Sequence, residues 1–357
     1  MSYFFVFLLA FIISAVSARV LQWLAPKVGL MDLPRDRHQH DKPTPFLGGV
    51  AVFIAVVAVL SLTYKQLLVG NLAPKHWLFV LAGATLLVIG GILDDKFKLK
   101  PSLQLIFPLL ACVLVVMGGV NIEKITNPFG GFIYLDQWQI PLFTLGAYTR
   151  HLVVWSDALV ILWLFGMMFT TKLLDGLDGL VSGVGVIASI IIFIFTMSTR
   201  WYQPDIAWAS LVLAGACAGF LYWNWYPAKQ FLGESGALLI GFLLGVLSII
   251  SGGKFAVALL IMGIPILDVA WTIVRRTLKK QNPFRSADRQ HLHFRLLDAG
   301  LSTRQAVTVF YGFAALFGGL AIFLQSKGKL MLLAVALIIM VGLLAGFAWV
   351  DKRGKAR

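Results

Sequence analysis

The sequence predicts an all-α polytopic membrane protein, with one integral-membrane domain over residues 1–357. Hydrophobic residues make up 59% of the chain and charged residues only 13%, a balance typical of proteins that cross the bilayer several times. The apolar residues lie in long runs, and helices satisfy their own backbone hydrogen bonds in lipid. The net charge of +14 could suggest nucleic acid, but the apolar fraction argues against that partner and for the lipid bilayer.

Eleven apolar runs are each close to the length that a transmembrane helix needs, about 20 residues. They cover residues 2–24, 46–64, 76–93, 103–119, 153–171, 180–199, 206–223, 236–251, 255–275, 304–324 and 330–350. We therefore expect about 11 transmembrane helices.

The basic residues predict the orientation. Most of the 30 Lys and Arg residues lie in one set of loops and in the C-terminal tail 351–357, and basic loops are retained in the cytoplasm. These loops are 25–45, 94–102, 172–179, 224–235 and 275–303. The N-terminus is then outside and the C-terminus cytoplasmic. On the outer side, Phe132–Leu135 and Trp138–Ile140 predict a small hairpin around Asp136-Gln137.

An acidic loop, Asp175-Gly176-Leu177-Asp178-Gly179, separates two of the apolar runs. A charged side chain at mid-membrane costs about 2.5–3.5 kcal/mol on insertion scales, so two carboxylates at this position need a reason. Glycines permit a tight turn and a close approach of a ligand to the backbone. The loop therefore indicates the mouth of a membrane-embedded site.

Further polar groups fall on the same predicted face. They are Arg37 and His40 in the first loop, the pair Asp94-Asp95, the set Asn224, Phe231 and Glu234, and the group His291, His293 and Arg295. Carboxylates are ligands for Mg²⁺, and Arg and His donate to phosphate oxygens. This inventory favours phosphoryl-type transfer between a soluble and a lipid phosphate, although paired aspartates at a helix end are often only solvated.

Five motifs in order resemble the polyprenyl-phosphate N-acetylhexosamine-1-phosphate transferases, the glycosyltransferase 4 family that includes WecA, TagO and MraY. The resemblance covers nearly the whole chain. The motifs are Asp32-x-Pro34-x-x-Arg37-x-x-His40-x-x-Pro43-x-Pro45-x-x-Gly48-Gly49, Asp94-Asp95, Leu174–Leu180, Asn224-x-x-Pro227-Ala228-x-x-Phe231-x-Gly233-Glu234 with Pro265-x-x-Asp268, and Asp288-Arg289-x-His291-x-His293.

The resemblance implies that undecaprenyl phosphate attacks the β-phosphate of a UDP-N-acetylhexosamine and releases UMP, with Mg²⁺ as cofactor and Mn²⁺ as the alternative. It implies catalytic roles for Asp94, Asp95 and Asp175, and metal-ligand positions at Glu234, Asp94 and Asp175. The substrate-binding residues that it implies are Arg37, His40, Lys172, Gly176, Leu177, Asp178, Asn224, Phe231, His291, His293 and Arg295. The expected location is the bacterial plasma membrane with a cytoplasmic active site, and a homodimer is a further expectation.

This chain departs from the family pattern at several positions. Two asparagines usually precede the acidic loop, where this chain has Phe169 and Lys172, and the usual metal aspartate is Glu234. We hypothesise that Lys172 and Glu234 compensate each other. The chain also has Gln104 and Pro108 where the family usually has Lys and Gln, and Phe294 in the histidine loop.

The motifs leave alternatives open. UDP-GlcNAc is the default donor because the first-loop and histidine-loop patterns look closer to the WecA/TagO branch. An MraY-like phospho-MurNAc-pentapeptide transferase is the second, and a catalytically silent polyprenyl-phosphate binder is the third. Two other classes of membrane protein fit the sequence less well. A transporter would place its polar groups near the bilayer midplane, whereas here they fall on one predicted face. A CDP-alcohol phosphotransferase needs Ala-Arg after its first Asp-Gly, where this chain has Leu177-Asp178.

Overall fold

A computed structural model gives the fold of the protein. It describes residues 2–32, 43–70, 72–127, 129–145, 148–199, 201–252, 255–278, 280 and 290–355. Arg37 and His40, as well as Asp288 and Arg289 of the histidine loop, lie outside the described residues.

The described chain is mostly helical. Its helices are α1 (Tyr3–Val28), α2 (Gly48–Leu62), α3 (Tyr64–Leu67), α4 (Pro74–Phe97), α5 (Pro101–Gln104), α6 (Ile106–Met117), α7 (Val154–Leu174), α8 (Leu180–Thr196), α9 (Pro204–Asn224), α10 (Gly233–Ile250), α11 (Phe255–Ile261), α12 (Gly263–Leu278), α13 (Leu292–Asp298), α14 (Thr303–Phe323) and α15 (Ser326–Lys355). Each of the eleven predicted apolar runs is therefore helical.

Seven helices in the described residues are long and apolar enough to span a membrane: α1, α4, α7, α9, α10, α14 and α15. Three other apolar segments are shorter: α2, the pair α5–α6, and α8. The protein is thus a multi-pass membrane protein, whereas the count of eleven crossings and the orientation stay predictions.

The predicted run 255–275 is not one straight helix. It forms α11 and α12, which meet at an angle of 80°. Pro265 lies in the first turn of α12, where a missing backbone N–H is tolerated, whereas inside a continuous helix it would remove a hydrogen bond. With the bend included, the number of helical units able to cross a membrane is up to eight in the described chain.

Helix α10 lies at the centre of the bundle and packs against α7, α4, α2 and α8. Glycines let the backbones approach closely at its first turn. A Cβ on Gly49 would collide with the backbone of Gly236, and one on Gly91 would collide with Ser235. These crossings fix the start of α10, and with it Glu234, against α2 and the end of α4.

We expect Gly49→Ala to lower the unfolding temperature in detergent substantially, because the added methyl group meets backbone atoms that cannot move aside. Overpacking a well-packed core costs about 1–3 kcal/mol, and occasionally more. Gly312→Ala in α14 is the matched control, since a Cβ there has no neighbour within 4 Å. Equal unfolding temperatures for the two variants would contradict the close approach of α2 to the start of α10.

The segment between α6 and α7 forms two antiparallel hairpins, and the hairpin predicted around Asp136-Gln137 is wrong. Strand β3 (Lys124–Thr126) pairs with β4 (Phe132–Tyr134), and β5 (Gln139–Leu145) pairs with β6 (Tyr148–Val153). A third small sheet joins β1 (Met31–Asp32) to β2 (Thr44–Pro45), at the two ends of the first predicted cytoplasmic loop.

Candidate active site

The acidic loop connects α7 to α8 and is held from two sides. Gly179 adopts a left-handed conformation with φ of 79°, which glycine adopts without strain. Its N–H donates to Asn224 Oδ1 at 3.0 Å, and its carbonyl accepts from the Tyr311 hydroxyl at 2.5 Å. The loop is thereby attached to α9 and α14.

Asn224 is buried, and its side-chain amide makes hydrogen bonds inside the protein. Besides Gly179, its Oδ1 accepts from Ser182 Oγ at 2.8 Å, and its Nδ2 donates to the Gln230 carbonyl at 3.0 Å. In this structure Asn224 positions the acidic loop, and its predicted contact with substrate stays a prediction.

We expect Asn224→Leu to destabilise the protein and to reduce activity strongly. The buried Gly179 N–H and the Gln230 carbonyl would lose their partner, and each unsatisfied buried group costs about 1–3 kcal/mol. Asn224→Asp keeps the acceptor oxygen and should lose less. Thermal unfolding of the three proteins checks this order, and an Asp variant less stable than the Leu variant would contradict it.

The paired aspartates, Gln104, Lys172 and Glu234 form a ring of contacts that connects α4, α5, α7 and α10. Asp94 Oδ1 accepts from Gln104 Nε2 at 3.0 Å, and Gln104 Oε1 accepts from Lys172 Nζ at 3.0 Å. Lys172 forms an ion pair with Glu234. The backbone N–H of Glu234, at the start of α10, donates to the Asp95 carboxylate at 3.2 Å, which closes the ring where a helix N-terminus favours negative charge.

The hypothesis that Lys172 and Glu234 act together gains a physical basis from this ring. The ammonium of Lys172 contacts the carboxylate of Glu234 directly, and Phe169 lies beside it with its ring centroid 5.7 Å from Nζ. Whether the pair restores the function of the usual residues stays a hypothesis.

Asp175 and Asp178 differ in their partners. Asp178 Oδ2 accepts from the backbone N–H of Ala228 at 2.9 Å. The Asp175 carboxylate has no hydrogen-bond partner among the described residues. Burial raises the pKa of Asp175 well above its usual range, and the nearby carboxylates of Glu234, Asp95 and Asp178 raise it further. Asp175 is therefore a carboxyl group that holds a proton more readily than an ordinary aspartate.

The histidine segment (His291–His293) lies against the acidic loop. The Asp268 carboxylate of α12 holds it: Oδ2 lies 2.8 Å from His291 Nδ1, and Oδ1 accepts from the Leu292 N–H at 3.0 Å. The ring of His293 stacks at 5.7 Å on that of His291, and its Nε2 lies so close to Gly176 that a Cβ there would collide with it. The structure thus brings His291, His293 and Gly176 together.

His293 is 1% exposed, and neither ring nitrogen has a hydrogen-bond partner in the part of the chain that the structure describes. Burial, assisted by His291, lowers the pKa of His293 to about 3. The imidazole is therefore neutral at physiological pH, with one nitrogen that can donate and one that can accept.

Phe231 belongs to the segment that joins α9 to α10. Its N–H donates to the Pro45 carbonyl at 2.8 Å, and its own carbonyl accepts from the Gly48 N–H at 3.1 Å. The Phe46 ring lies 6.3 Å from the Phe231 ring. The end of the first predicted cytoplasmic loop is thus joined to the segment that leads into α10 and Glu234.

Leu177 and Arg295 complete the predicted substrate-binding residues that the structure describes. The Leu177 side chain is buried in the core, so only its backbone could face a ligand. Arg295 donates from Nε to the Gln290 carbonyl at 3.2 Å, and its guanidinium lies 5.7 Å from the Phe347 ring. Those contacts place Arg295 beside α15.

The predicted Mg²⁺ site is not preassembled. Within the described ranges, no three Asp, Glu, His or Cys side chains come together in an arrangement that could hold a metal ion. Glu234 is paired with the Lys172 ammonium, and Asp94 accepts from Gln104 and from the Leu99 N–H. The present arrangement of these side chains therefore does not fit a divalent cation.

Two residues of the site were not predicted as functional. Gln104 stood out only as a departure from a motif, although it bridges Asp94 and Lys172. Tyr311 carries a single hydroxyl group in an apolar run. Its role in holding the acidic loop is visible only from its hydrogen bond to the Gly179 carbonyl.

Known proteins resemble this chain along most of its length. The family model described as glycosyl transferase family 4 matches residues 77–252. A probable undecaprenyl-phosphate N-acetylglucosaminyl 1-phosphate transferase of Bacillus subtilis is 32% identical over 343 residues, which cover 93% of this chain and 88% of the relative.

A decaprenyl-phosphate N-acetylglucosaminephosphotransferase of Mycolicibacterium smegmatis is 32% identical over 94% of this chain and 86% of the relative. An undecaprenyl-phosphate alpha-N-acetylglucosaminyl 1-phosphate transferase of Thermotoga maritima is 30% identical over 79% of this chain and 78% of the relative. With the acidic loop, paired aspartates and histidine segment assembled at one end of the bundle, these matches show that the chain belongs to the polyprenyl-phosphate N-acetylhexosamine-1-phosphate transferase superfamily, glycosyltransferase family 4.

Proposed function

We propose that the protein transfers N-acetylglucosamine 1-phosphate from UDP-GlcNAc to undecaprenyl phosphate and releases UMP. The observation that carries the proposal is the convergence of Asp94, Asp95, Asp175, Asp178 and Glu234 with two buried histidines at one end of the bundle. Relatives named for the same transfer to undecaprenyl or decaprenyl phosphate support the donor and the acceptor.

The reaction exchanges one phosphoanhydride bond for another. An oxygen of the lipid phosphate attacks the β-phosphorus of UDP-GlcNAc, and the bond from that phosphorus to the bridging oxygen breaks. The bridging oxygen leaves with the electron pair as part of UMP. Such a transfer needs mainly positioning and neutralisation of charge.

The chain supplies groups for both needs. Asp175 can accept a proton from the lipid phosphate or orient it, since its carboxylate has no competing partner in the described chain. The neutral His293 can donate to a phosphate oxygen, and the Lys172 ammonium can neutralise phosphate charge. The family resemblance adds Mg²⁺, with Mn²⁺ as the alternative, and this cofactor stays a proposal.

We also propose that the protein lies in the bacterial plasma membrane with this site on the cytoplasmic side, where UDP-sugars are made. The product would then start a lipid-linked cell-wall or surface glycan. Dimerisation stays an expectation.

Thiol labelling in intact cells checks the orientation. Both native cysteines, Cys112 and Cys217, are fully buried, so a membrane-impermeant maleimide should report only on an introduced cysteine. Lys229 and Lys124 are exposed, the first beside the site and the second in the β3–β4 hairpin. We expect labelling of Lys124→Cys and not of Lys229→Cys, and the reverse pattern would invert the topology.

The function is tested with purified protein in liposomes that contain undecaprenyl phosphate. UMP release is measured for UDP-GlcNAc, UDP-GalNAc, UDP-glucose and UDP-MurNAc-pentapeptide, at a series of Mg²⁺ concentrations. We expect the highest release with UDP-GlcNAc and none without the lipid. Preference for the pentapeptide donor would favour the phospho-MurNAc-pentapeptide reaction instead.

The ion pair between Lys172 and Glu234 favours a second candidate, a polyprenyl-phosphate binder without transferase activity, because it engages a carboxylate that the family resemblance assigns to metal. This candidate predicts binding of undecaprenyl phosphate with no UMP release from any donor.

A further inference from the structure

Lys172 is held at its ammonium group by side chains from two other helices. Nζ donates to Gln104 Oε1 of α5 at 3.0 Å and pairs with Glu234 of α10. The side chains of Lys172 and Glu234 are only 19% and 20% exposed, so the pair is largely shielded from solvent. Gln104 is fixed in turn, because its Nε2 donates to Asp94 Oδ1 and to the Leu99 carbonyl at 3.1 Å.

The Glu234 carboxylate that the ammonium contacts lies near other carboxylates. Glu234 interacts electrostatically with Asp94 and Asp175 as well as with Lys172. Lys98 also interacts electrostatically with Glu234 and Asp95, but its Nζ lies 4.9 Å from the centroid of the Phe46 ring. Among the described residues, Lys172 therefore supplies the ammonium that contacts Glu234 in the ring between α4 and α10.

A divalent cation and an ammonium cannot occupy the same side of one carboxylate without strong repulsion. For Glu234 to ligate a metal, the contact with Lys172 would have to open. A Lys side chain offers three donors and no acceptor, so it cannot itself join a metal's ligand set. It can, however, neutralise carboxylates and donate to phosphate oxygens.

We propose that Lys172 is a built-in cation of this site. Its ammonium neutralises carboxylate charge that a divalent ion would otherwise neutralise, and it thereby weakens divalent-cation binding. It also contacts the pyrophosphate of the nucleotide sugar. Gln104 is its positioning residue, because its Oε1 accepts from the same Nζ that pairs with Glu234. The contact with the pyrophosphate rests on the proposed function, whereas the weakened metal binding does not.

Metal binding alone tests the proposal, without substrate or turnover. Mn²⁺ is titrated into purified full-length protein in nanodiscs, and free Mn²⁺ is measured by electron paramagnetic resonance. Lys172→Gln removes the charge and keeps a polar side chain of similar length. Because the repulsion is removed, we expect Mn²⁺ to bind this variant about tenfold or more tightly than the original protein. Lys96→Gln is the matched control, since Lys96 is exposed and lies over the Phe97 ring, and its affinity should stay unchanged.

A transposed variant tests the role of Gln104. Lys172→Gln combined with Gln104→Lys places the ammonium on the other side of the same 3.0 Å contact. We expect its Mn²⁺ affinity to return towards that of the original protein. Equal or weaker binding by Lys172→Gln would overturn the built-in cation, and a transposed variant that binds as tightly as Lys172→Gln would overturn the pairing with Gln104.

The two proposals fail separately. If no donor yields UMP but Lys172→Gln gains Mn²⁺ affinity, the built-in cation stands and the transferase function falls. If UMP is released while all four proteins bind Mn²⁺ equally, the function stands and the built-in cation falls.

Discussion

Asp175→Asn is expected to reduce UMP release by about a thousandfold, within the range of 10²–10⁴ that a positioned acid or base contributes. Asp94, Asp95, Asp178 and Glu234 all accept hydrogen bonds or pair with a cation in the structure. The Asp175 carboxylate has no such partner among the described residues. An amide keeps its shape but cannot accept a proton, so the chemical step should be lost while the fold is kept.

Initial rates at saturating UDP-GlcNAc and undecaprenyl phosphate measure this loss, and thermal unfolding checks the fold. Asp136→Asn is the control, because Asp136 lies between strands β4 and β5 on the predicted outer side. Its rate should match that of the original protein. An Asp175→Asn enzyme that retains a tenth of the original rate would contradict a role for this carboxylate in the chemistry.

Asp268→Ala is expected to lower both stability and activity, the latter by about a hundredfold or more. Asp268 is 5% exposed and accepts from the Leu292 N–H, while its second oxygen contacts His291. Removing it leaves buried polar groups unsatisfied, and each costs about 1–3 kcal/mol. The histidine segment would then lose its attachment to α12, and His293 would lose its place against Gly176.

Asp268→Asn separates the two effects, since its side-chain oxygen can still accept from Leu292. It should recover most of the stability and less of the activity, because the amide no longer offers His291 a carboxylate. Unfolding temperature and initial rate are measured for both variants. An Asp268→Ala protein as active as the original would show that the histidine segment does not need this contact.

The apolar runs predict the helices well because a span must be apolar over most of its length, which any window of the sequence records. The 80° bend before Pro265 escapes this pattern, since hydropathy is unchanged across it. The outer hairpins were mispredicted because Asp136-Gln137 is a weak turn signal. The strands instead pair across the connections from Thr126 to Phe132 and from Leu145 to Tyr148.

The site was predictable in composition but not in its internal connections. The acidic loop and the histidines stand out because charged and polar residues beside apolar runs are costly. The contact between Lys172 and Gln104 joins residues 68 positions apart and depends on how α5, α7 and α10 pack. Asn224 illustrates the same limit, because its motif indicates substrate while its hydrogen bonds hold Gly179 and Ser182.

The fate of the β-phosphorus of UDP-GlcNAc tests the proposed reaction most directly. The purified protein is incubated in undecaprenyl-phosphate liposomes with donor labelled with ³²P at the β-position, and lipid and aqueous phases are separated. Transfer of a sugar 1-phosphate predicts that the label enters the lipid phase in equal amount with the UMP released. Label that stays in the aqueous phase, as UDP or as unreacted donor, would contradict the proposed function.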